Sequence, residues 1–377
     1  MKLDRIAVSV YRAPCERPVS TSFGTMRDRP AVFVKVFDGE GTFGWGEIFA
    51  NWPSAGAEHR ARLLMEDILE LVLKIEFETP EQLWRDLTRL TEIRALQCGE
   101  WGPFHQVLAG LDTAVHDLCA RRTGLPLADT LSENVLKAVP YYASGLEVST
   151  AHPIIEALRD EGVFAFKVKV GFDEQRDLAD LAAIANDLGG EEQLFADANQ
   201  AWNLDAALRF AEASREFGLG WIEEPIRADR PIEEWKKLAA RTGIPIAAGE
   251  NIAGEEAFAL AIASGVFAYL QPDVAKWGGV TGNLKVARKA GSAGLTYCPH
   301  FLGGGIGLLA SAHILAATDG KGLLEVDANA NPLRDAFLEE TTLSNGAFRL
   351  TAKSGLGIEA LPDSIAPYRT LNLDSTQ

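Results

Sequence analysis

Cysteine is scarce and scattered. Cys15, Cys98, Cys119 and Cys298 are the only four in 377 residues, and no two fall into a CxxC or another metal-binding spacing. That excludes a disulfide framework and a zinc-motif reading, and leaves a reduced, cytoplasmic protein as the expectation. Long apolar runs are missing too: no stretch approaches the ~18 residues of a membrane span. The opening "MKLDRIAVSVYRAP" reads as a strand with interspersed charges rather than a secretion signal. Basic residues are in deficit, 36 Lys and Arg against 53 Asp and Glu, for a formal charge of −17. Such a balance argues against nucleic acid and anionic membrane as partners, while a local cluster of cations can still receive a small anionic substrate. Histidine is also sparse, with six in the chain.

What is present is apolar material for a sizeable core, 47% of residues, in two textures. Residues 1 to about 50 carry alternating segments, "IAVSVYR" and "AVFVKVFDGEGTFGWGEI", the second divided by the turn-prone "DGEG", which predicts an antiparallel meander. From about 57 to 125, apolar residues recur every three or four positions, which predicts several helices. After Pro140, eight short apolar strands alternate with amphipathic helical stretches, from "VPYYASGL" to "LLEVD". This βα repeat predicts an α/β fold, a (β/α)8 barrel with one helix abbreviated. The expected division is an α+β domain over 1–130, the barrel over 131–328, and a segment over 329–377 that packs back on the first domain.

In such a barrel, chemistry sits where strands end and the adjoining loops begin. The polar residues at those ends are Lys167 and Lys169, Asp197 with Asn199, Glu223 with Glu224, Glu250, Asp273 with Lys276, His300 and Glu325. From Lys169 onward the successive gaps are 28, 26, 27, 23, 27 and 25 residues, each the length of one βα unit, so the groups converge on one mouth. Asp197, Glu223 and Glu250 are carboxylates on adjacent strands, and they raise one another's pKa unless a cation neutralises them. Hard oxygen donors of this kind suit Mg²⁺. A lone carboxylate at a strand end reads equally well as a helix cap, but three in register do not.

The stretch "AFKVKVG" alternates two lysines with apolar residues, placing both ammonium groups on one face of a strand. Crowding of cations lowers a lysine's pKa toward that of a general base. Asp273 and His300, one unit apart, can form a carboxylate–imidazole pair that fixes the tautomer. His116 and His313 fall in helical patterns and read as packing, and His59, His105 and His152 stay unassigned. Neither "GGVTG" nor "GGGIG" is a nucleotide fingerprint; both read as tight loops.

The set "KVK", "DAN", "EEP", "GE", "DVAKWGGVTG", "PH" and the late Glu325 resembles the mandelate racemase-like branch of the enolase superfamily, in order and across the whole chain. The resemblance implies an α+β capping domain, completed by the C-terminal tail, over a modified barrel of (β/α)7β type. It implies Asp197, Glu223 and Glu250 as Mg²⁺ ligands and Lys169 as the base on one face of the substrate. Lys167 would neutralise the substrate carboxylate, Asp273 and His300 would form the acid/base dyad on the other face, and Glu325 would hydrogen-bond a carboxylate oxygen. Lys276 is a second acid/base candidate, because a neighbouring branch uses a lysine at the end of the sixth strand.

The implied reaction is Mg²⁺-dependent abstraction of the proton α to a carboxylate, giving an enediolate. Dehydration of an acid sugar or hydroxy acid is the first expectation for the fate of that enediolate. Racemisation or epimerisation of a 2-hydroxy acid or N-modified amino acid is the alternative, and a non-catalytic binding protein on the same fold is the third. A homo-oligomer, dimer or octamer, is implied as well. Substrate selection falls to the loops "TSFGTMRDR" and "FANWPSAGAEHR". There Arg27, Arg29 and Arg60 suit a second carboxylate or a polyol, whereas Phe23 and Trp52, with Trp277, suit an apolar wall. Asn199 and Phe301, beside Asp197 and His300, complete the expected substrate contacts.

Overall fold

The computed structural model describes residues 1–318, 321–339 and 342–376, without the side chains of residues 16, 17 and 20. Strands β1 (Leu3–Thr21), β2 (Gly24–Asp38) and β3 (Phe43–Ile48) form the antiparallel meander. Ile6, Val8 and Val10 lie opposite Val36, Val34 and Val32, and all six are buried, as period-2 alternation requires of one face. Helices Gly56–Leu63, Leu69–Lys74, Pro80–Cys98 and Trp101–Thr123 come next. The third is framed by its own sequence: the Thr79 side chain accepts from the Gln82 N–H, Pro80 opens the first turn, and Gly99 stops the helix in a left-handed conformation. The helix Trp101–Thr123 crosses β3 so closely that a Cβ on Gly46 would stand 2.0 Å from the Gly110 carbonyl oxygen. Glycine at that position is what permits the approach.

The barrel consists of β4 (Ala138–Glu147), β5 (Ala165–Lys169), β6 (Gln193–Asp197), β7 (Ile222–Glu223), β8 (Ile246–Ala248), β9 (Tyr269–Leu270), β10 (Thr296–Tyr297) and β11 (Leu324–Asp327). Neighbours from β4 to β10 pair in parallel, and β11 returns to pair in parallel with β4. One helix lies between each strand and the next, from Ala151–Asp160 to Gly305–Ala316, and none comes after β11 within the barrel, which gives the (β/α)7β form. At the seam between β10 and β11, the Leu323 N–H donates to Cys298 Sγ at 3.3 Å. A Cβ on Gly322 would lie 1.7 Å from the Tyr297 carbonyl oxygen.

Beyond the barrel, β12 (Leu343–Ser344) and β13 (Ala347–Arg349) form a hairpin whose second strand pairs antiparallel with β4. Strand β14 (Arg369–Asp374) then pairs antiparallel with β1, giving the capping sheet the order β14-β1-β2-β3. Arg5 and Asp374 form an ion pair across that join. Among the described residues, no helix is long and apolar enough to cross a membrane.

Candidate active site

Parallel register stacks the strand ends. Lys169 lies opposite Asp197 across β5 and β6, and Asp197 lies opposite Glu223 across β6 and β7. Past β9 and β10, Asp273 and His300 form a further bridge between their backbones. Two residues just beyond strand ends, Asn199 (φ 42°) and Glu224 (φ 39°), hold left-handed backbone, a strain that clusters at functional sites.

The charged groups occupy two layers. In the lower one, Lys167 is 2% exposed, and its Nζ donates to Glu223 Oε1 and Oε2 at 2.7 and 2.9 Å and lies 2.7 Å from Glu325 Oε1. Glu223 also accepts from Gln271 Nε2 at 2.6 Å, and Glu325 accepts from Ser144 Oγ at 2.5 Å and the Phe301 N–H at 3.0 Å. Burial pushes Glu223 up to about 7 even though Lys167 pulls the other way. Burial also opposes the charge on Lys167, but Glu223 and Glu325 outweigh it and hold the ammonium well above its ordinary pKa. Lys167 is therefore a fixed counter-charge.

The upper layer lines a cavity of about 500 Å³ between barrel and capping domain, where Lys169, Asp197, Asn199, Glu250, Lys276 and His300 form the floor. Lys169 Nζ donates to Asn199 Oδ1 at 3.0 Å, and Asn199 donates to both oxygens of Asp197, from its backbone at 2.8 Å and from Nδ2 at 3.0 Å. His300 sits between two carboxylates, with Nδ1 2.7 Å from Asp273 and Nε2 2.6 Å from Glu250. Burial alone would lower the imidazole's pKa, but Glu250 and Glu325 raise it well above the ordinary value. Lys276 Nζ donates to Asn251 Oδ1 at 2.9 Å and lies 3.6 Å from Glu250.

Among the described residues, no group of three His, Cys, Asp or Glu side chains stands ready to hold a metal ion. The cause is visible in the hydrogen bonds: Glu223 is engaged by Lys167 and Gln271, Glu250 by His300, and Asp197 by Asn199. The donor chemistry nevertheless fits a hard divalent cation. Six carboxylates gather here (Asp197, Glu223, Glu224, Glu250, Asp273 and Glu325) against four cationic groups (Lys167, Lys169, Lys276 and protonated His300). The formal surplus is two negative charges, and burial, with the neighbouring carboxylates, raises Asp197, Glu223 and Glu224 above their ordinary pKa values.

The structure thus brings Lys169, Asp197, Asn199, Glu250, Lys276 and His300 to one cavity, with Phe23 and Trp52 on its capping side. Lys167, Glu223 and Glu325 lie beneath that lining. Two expected substrate contacts, Trp277 and Phe301, lie outside that lining. Trp277 is buried against Trp84 and Phe258, with ring centroids 5.8 and 5.2 Å away. Phe301 is buried in the space left by Gly303 and Gly307, where added Cβ atoms would meet its ring at 2.5 and 2.2 Å. Of the three arginines, Arg27 is exposed, Arg60 is buried with its Nε donating to Gln106 at 2.9 Å, and Arg29 reaches the cavity lining.

Sequence reasoning missed Gln271 and Ser144, the partners of Glu223 and Glu325. Gln271 carried a signal, standing two residues before Asp273. It also missed Glu47, whose buried carboxylate accepts from the Gly304 and Gly307 N–H groups at 2.5 and 2.8 Å and so ties β3 to the N-terminus of helix Gly305–Ala316. Burial pushes Glu47 up to about 7 against those bonds.

Residues 151–364 match the description "Enolase C-terminal domain-like", and residues 5–132 match "Mandelate racemase / muconate lactonizing enzyme, N-terminal domain". An L-talarate/galactarate dehydratase from Salmonella typhimurium is 32% identical, covering 94% of this chain and 88% of its own. A crystal structure named as a mandelate racemase/muconate lactonizing enzyme from Bordetella bronchiseptica is 44% identical with a TM-score of 0.90, covering 96% of this chain and 97% of its own. A structure of an enolase from Bradyrhizobium, complexed with magnesium and mandelic acid, is 27% identical with a TM-score of 0.85, covering 98% and 99%. Other relatives are named as an arabinonate dehydratase and as cycloisomerases.

Proposed function

The chain belongs to the mandelate racemase/muconate lactonizing enzyme family of the enolase superfamily, and from that premise we propose that it dehydrates a hydroxylated carboxylic acid after removing the proton α to the carboxylate. The observation that carries the reading is the placement of two proton-transfer groups, Lys169 and His300, on different walls of one cavity. They stand at the end of β5 and just past β10, with the ends of β6 to β9 between them. One takes the α-proton, and the other faces the β-substituent from across the cavity. His300, held by Asp273 at Nδ1, would give to a departing hydroxyl the Nε2 proton that it directs at Glu250 in the absence of substrate.

Asp197, Glu223 and Glu250 would hold Mg²⁺, which supplies Lewis-acid stabilisation of the negative charge that develops on the substrate carboxylate. Lys167 keeps Glu325 ionised and holds Glu223 in place beneath that charge, with no exchange of its own proton. From an α,β-dihydroxy acid, loss of the α-proton and the β-hydroxyl as water leaves an enol that tautomerises to an α-keto acid. The dehydratase names among the relatives support this outcome. The same two-wall arrangement also supports a racemase reading, since a proton removed on one side can be returned from the other.

The test is proton NMR of the purified protein with Mg²⁺ in D₂O against acid sugars, 2-hydroxy acids and N-modified amino acids. The expected result is α-proton exchange together with a new α-keto product. Exchange with the skeleton intact would replace dehydration by racemisation, and absence of exchange throughout would sink proton abstraction itself.

A further inference from the structure

Two glycine-rich stretches, "GGVTG" and "GGGIG", follow Asp273 and His300, and each opens a helix, Gly279–Ser292 and Gly305–Ala316. Each helix start is gripped by one buried carboxylate of the capping domain. Asp112, on helix Trp101–Thr123, accepts from the Thr281 N–H at 2.8 Å and from Thr281 Oγ1 at 2.7 Å. Glu47, on β3, accepts from the Gly304 and Gly307 N–H groups. Among the described residues neither carboxylate pairs with a lysine or arginine; His116 Nε2 stands 3.8 Å from Asp112. The glycines leave them room: a Cβ on Gly279, at φ +55°, would lie 2.5 Å from Asp112 Oδ2, and one on Gly304 2.9 Å from Glu47 Oε1. Apolar packing joins two domains without fixing a direction, whereas a buried carboxylate must meet its donors at defined distances and angles.

The grip reaches the reacting groups through short segments. Asp273 Oδ1 accepts from the Ala275 and Lys276 N–H groups at 2.8 and 3.1 Å, and Oδ2 faces His300 Nδ1 at 2.7 Å. The turn that leads into helix Gly279–Ser292 therefore orients Asp273, and Asp273 orients His300. Alternate residues after Glu47 add to the hold: the Phe49 N–H donates to the Ala275 carbonyl at 3.2 Å, and Asn51 Nδ2 to the Leu302 carbonyl at 2.7 Å. Lys169 is fixed differently. Its strand pairs with β6, and its Nζ reaches Asn199. Just beyond it, the Gly171 and Phe172 N–H groups donate at 2.6 and 2.9 Å to Asp177 of the barrel helix Glu174–Asp187. On that side the capping domain supplies Ser22 Oγ, which donates to the Asn199 carbonyl at 2.5 Å.

We propose that Glu47 and Asp112 are positioning residues for the Asp273–His300 dyad, so that the capping domain sets the second proton-transfer step while the barrel itself sets the first. This rests on the proton-abstraction reading and divides it between the two domains. Neither carboxylate lines the cavity; both act on residues four to eight positions past Asp273 and His300. When the grip loosens, Lys169 still removes the α-proton and returns one from solvent, but the dyad no longer meets the departing hydroxyl.

The test compares Glu47→Gln and Asp112→Asn with the native protein, with Mg²⁺ in D₂O, on whichever of C5 and C6 aldonates, galactarate and mandelate the native protein processes fastest. Proton NMR reads deuterium entering the α-position of recovered substrate and, separately, the α-keto product. Product formation is expected to fall on the order of 100-fold, the cost of misplacing a reacting group by about an ångström, while exchange persists, so that the ratio of exchange to product rises at least about tenfold. If the native protein racemises instead, the ratio is that of exchange with retention to exchange with inversion. Asp177→Asn, on the Lys169 side, should lower exchange and product alike. Thermal melting tracks folding, and Thr281→Val, which removes one of the two bonds to Asp112, carries the comparison if neither carboxylate variant folds. A merely structural contact lowers both processes together, so an unchanged ratio would overturn the proposal and leave proton abstraction intact. No exchange by the native protein with any compound would overturn both.

Discussion

The barrel side of the cavity holds most of its charged groups in pairs and triplets, whereas the capping side offers one charged side chain, Arg29, set among apolar and neutral ones. On the barrel side Lys167 meets two carboxylates within 2.7 Å, and His300 meets Asp273 and Glu250 at 2.7 and 2.6 Å. On the capping side Phe23 rests edge-on to Trp52 at 5.7 Å and stays 58% exposed. A repeating scaffold delivers charges in fixed register, so their mutual compensation survives almost any change of substrate. Irregular segments carry fewer constraints, which makes them the place where selection for a substrate can vary.

The sharpest way to break this contrast is to cut the barrel side. Lys169→Met and His300→Asn should each fold with a near-unchanged thermal midpoint, yet lower kcat/KM on the order of 1,000-fold, as loss of a general acid or base does. A loss below tenfold in either variant would erase the distinction between the two walls.

The joint between the walls comes next. Glu47→Ala removes the acceptor of two backbone N–H groups and should cost about 1–3 kcal/mol in urea unfolding. Its pH dependence has a definite sign. Burial raises the folded pKa to about 7 from an ordinary 4.5, so folding favours the protonated carboxyl. That contribution is fully present below about pH 4.5 and is lost as pH rises through about 7. The stability advantage of the native protein over Glu47→Ala should therefore shrink across that window, and an advantage that grows instead would show that the carboxylate is the favoured form.

The smallest effect belongs to the capping side. Phe23→Ala removes one partner of an exposed aromatic pair, worth about 0.5–1.5 kcal/mol. It should shift KM a few-fold while kcat stays put; an equal fall in kcat would make Phe23 part of the chemistry.

The barrel was legible in the sequence because strand, helix and strand-end polar residue recur at one spacing, and the same spacing placed Asp197, Glu250 and His300 at a common mouth. Depth was less legible. Alternation puts Lys167 and Lys169 on one face, but the two-residue step along β5, roughly 6.6 Å, separates a buried counter-charge from a group at the cavity. Trp277 and Phe301 lie off the cavity lining because sequence adjacency to Lys276 and His300 does not fix which way a ring turns, and both rings obey apolar packing. Arg29 was named only as one of three arginines. Its partner Asp327 lies 298 residues away in another sheet, a separation no local pattern encodes.

Strand β1 keeps one edge open until β14 arrives, and the Arg5–Asp374 contact that marks their join spans 369 residues. In a chain synthesised from its N-terminus, every barrel strand emerges before the capping sheet can be completed. The earliest part of the protein to be made is thus the last to be finished, and a nascent or truncated chain would present an unpaired β1 edge where the finished sheet has β14.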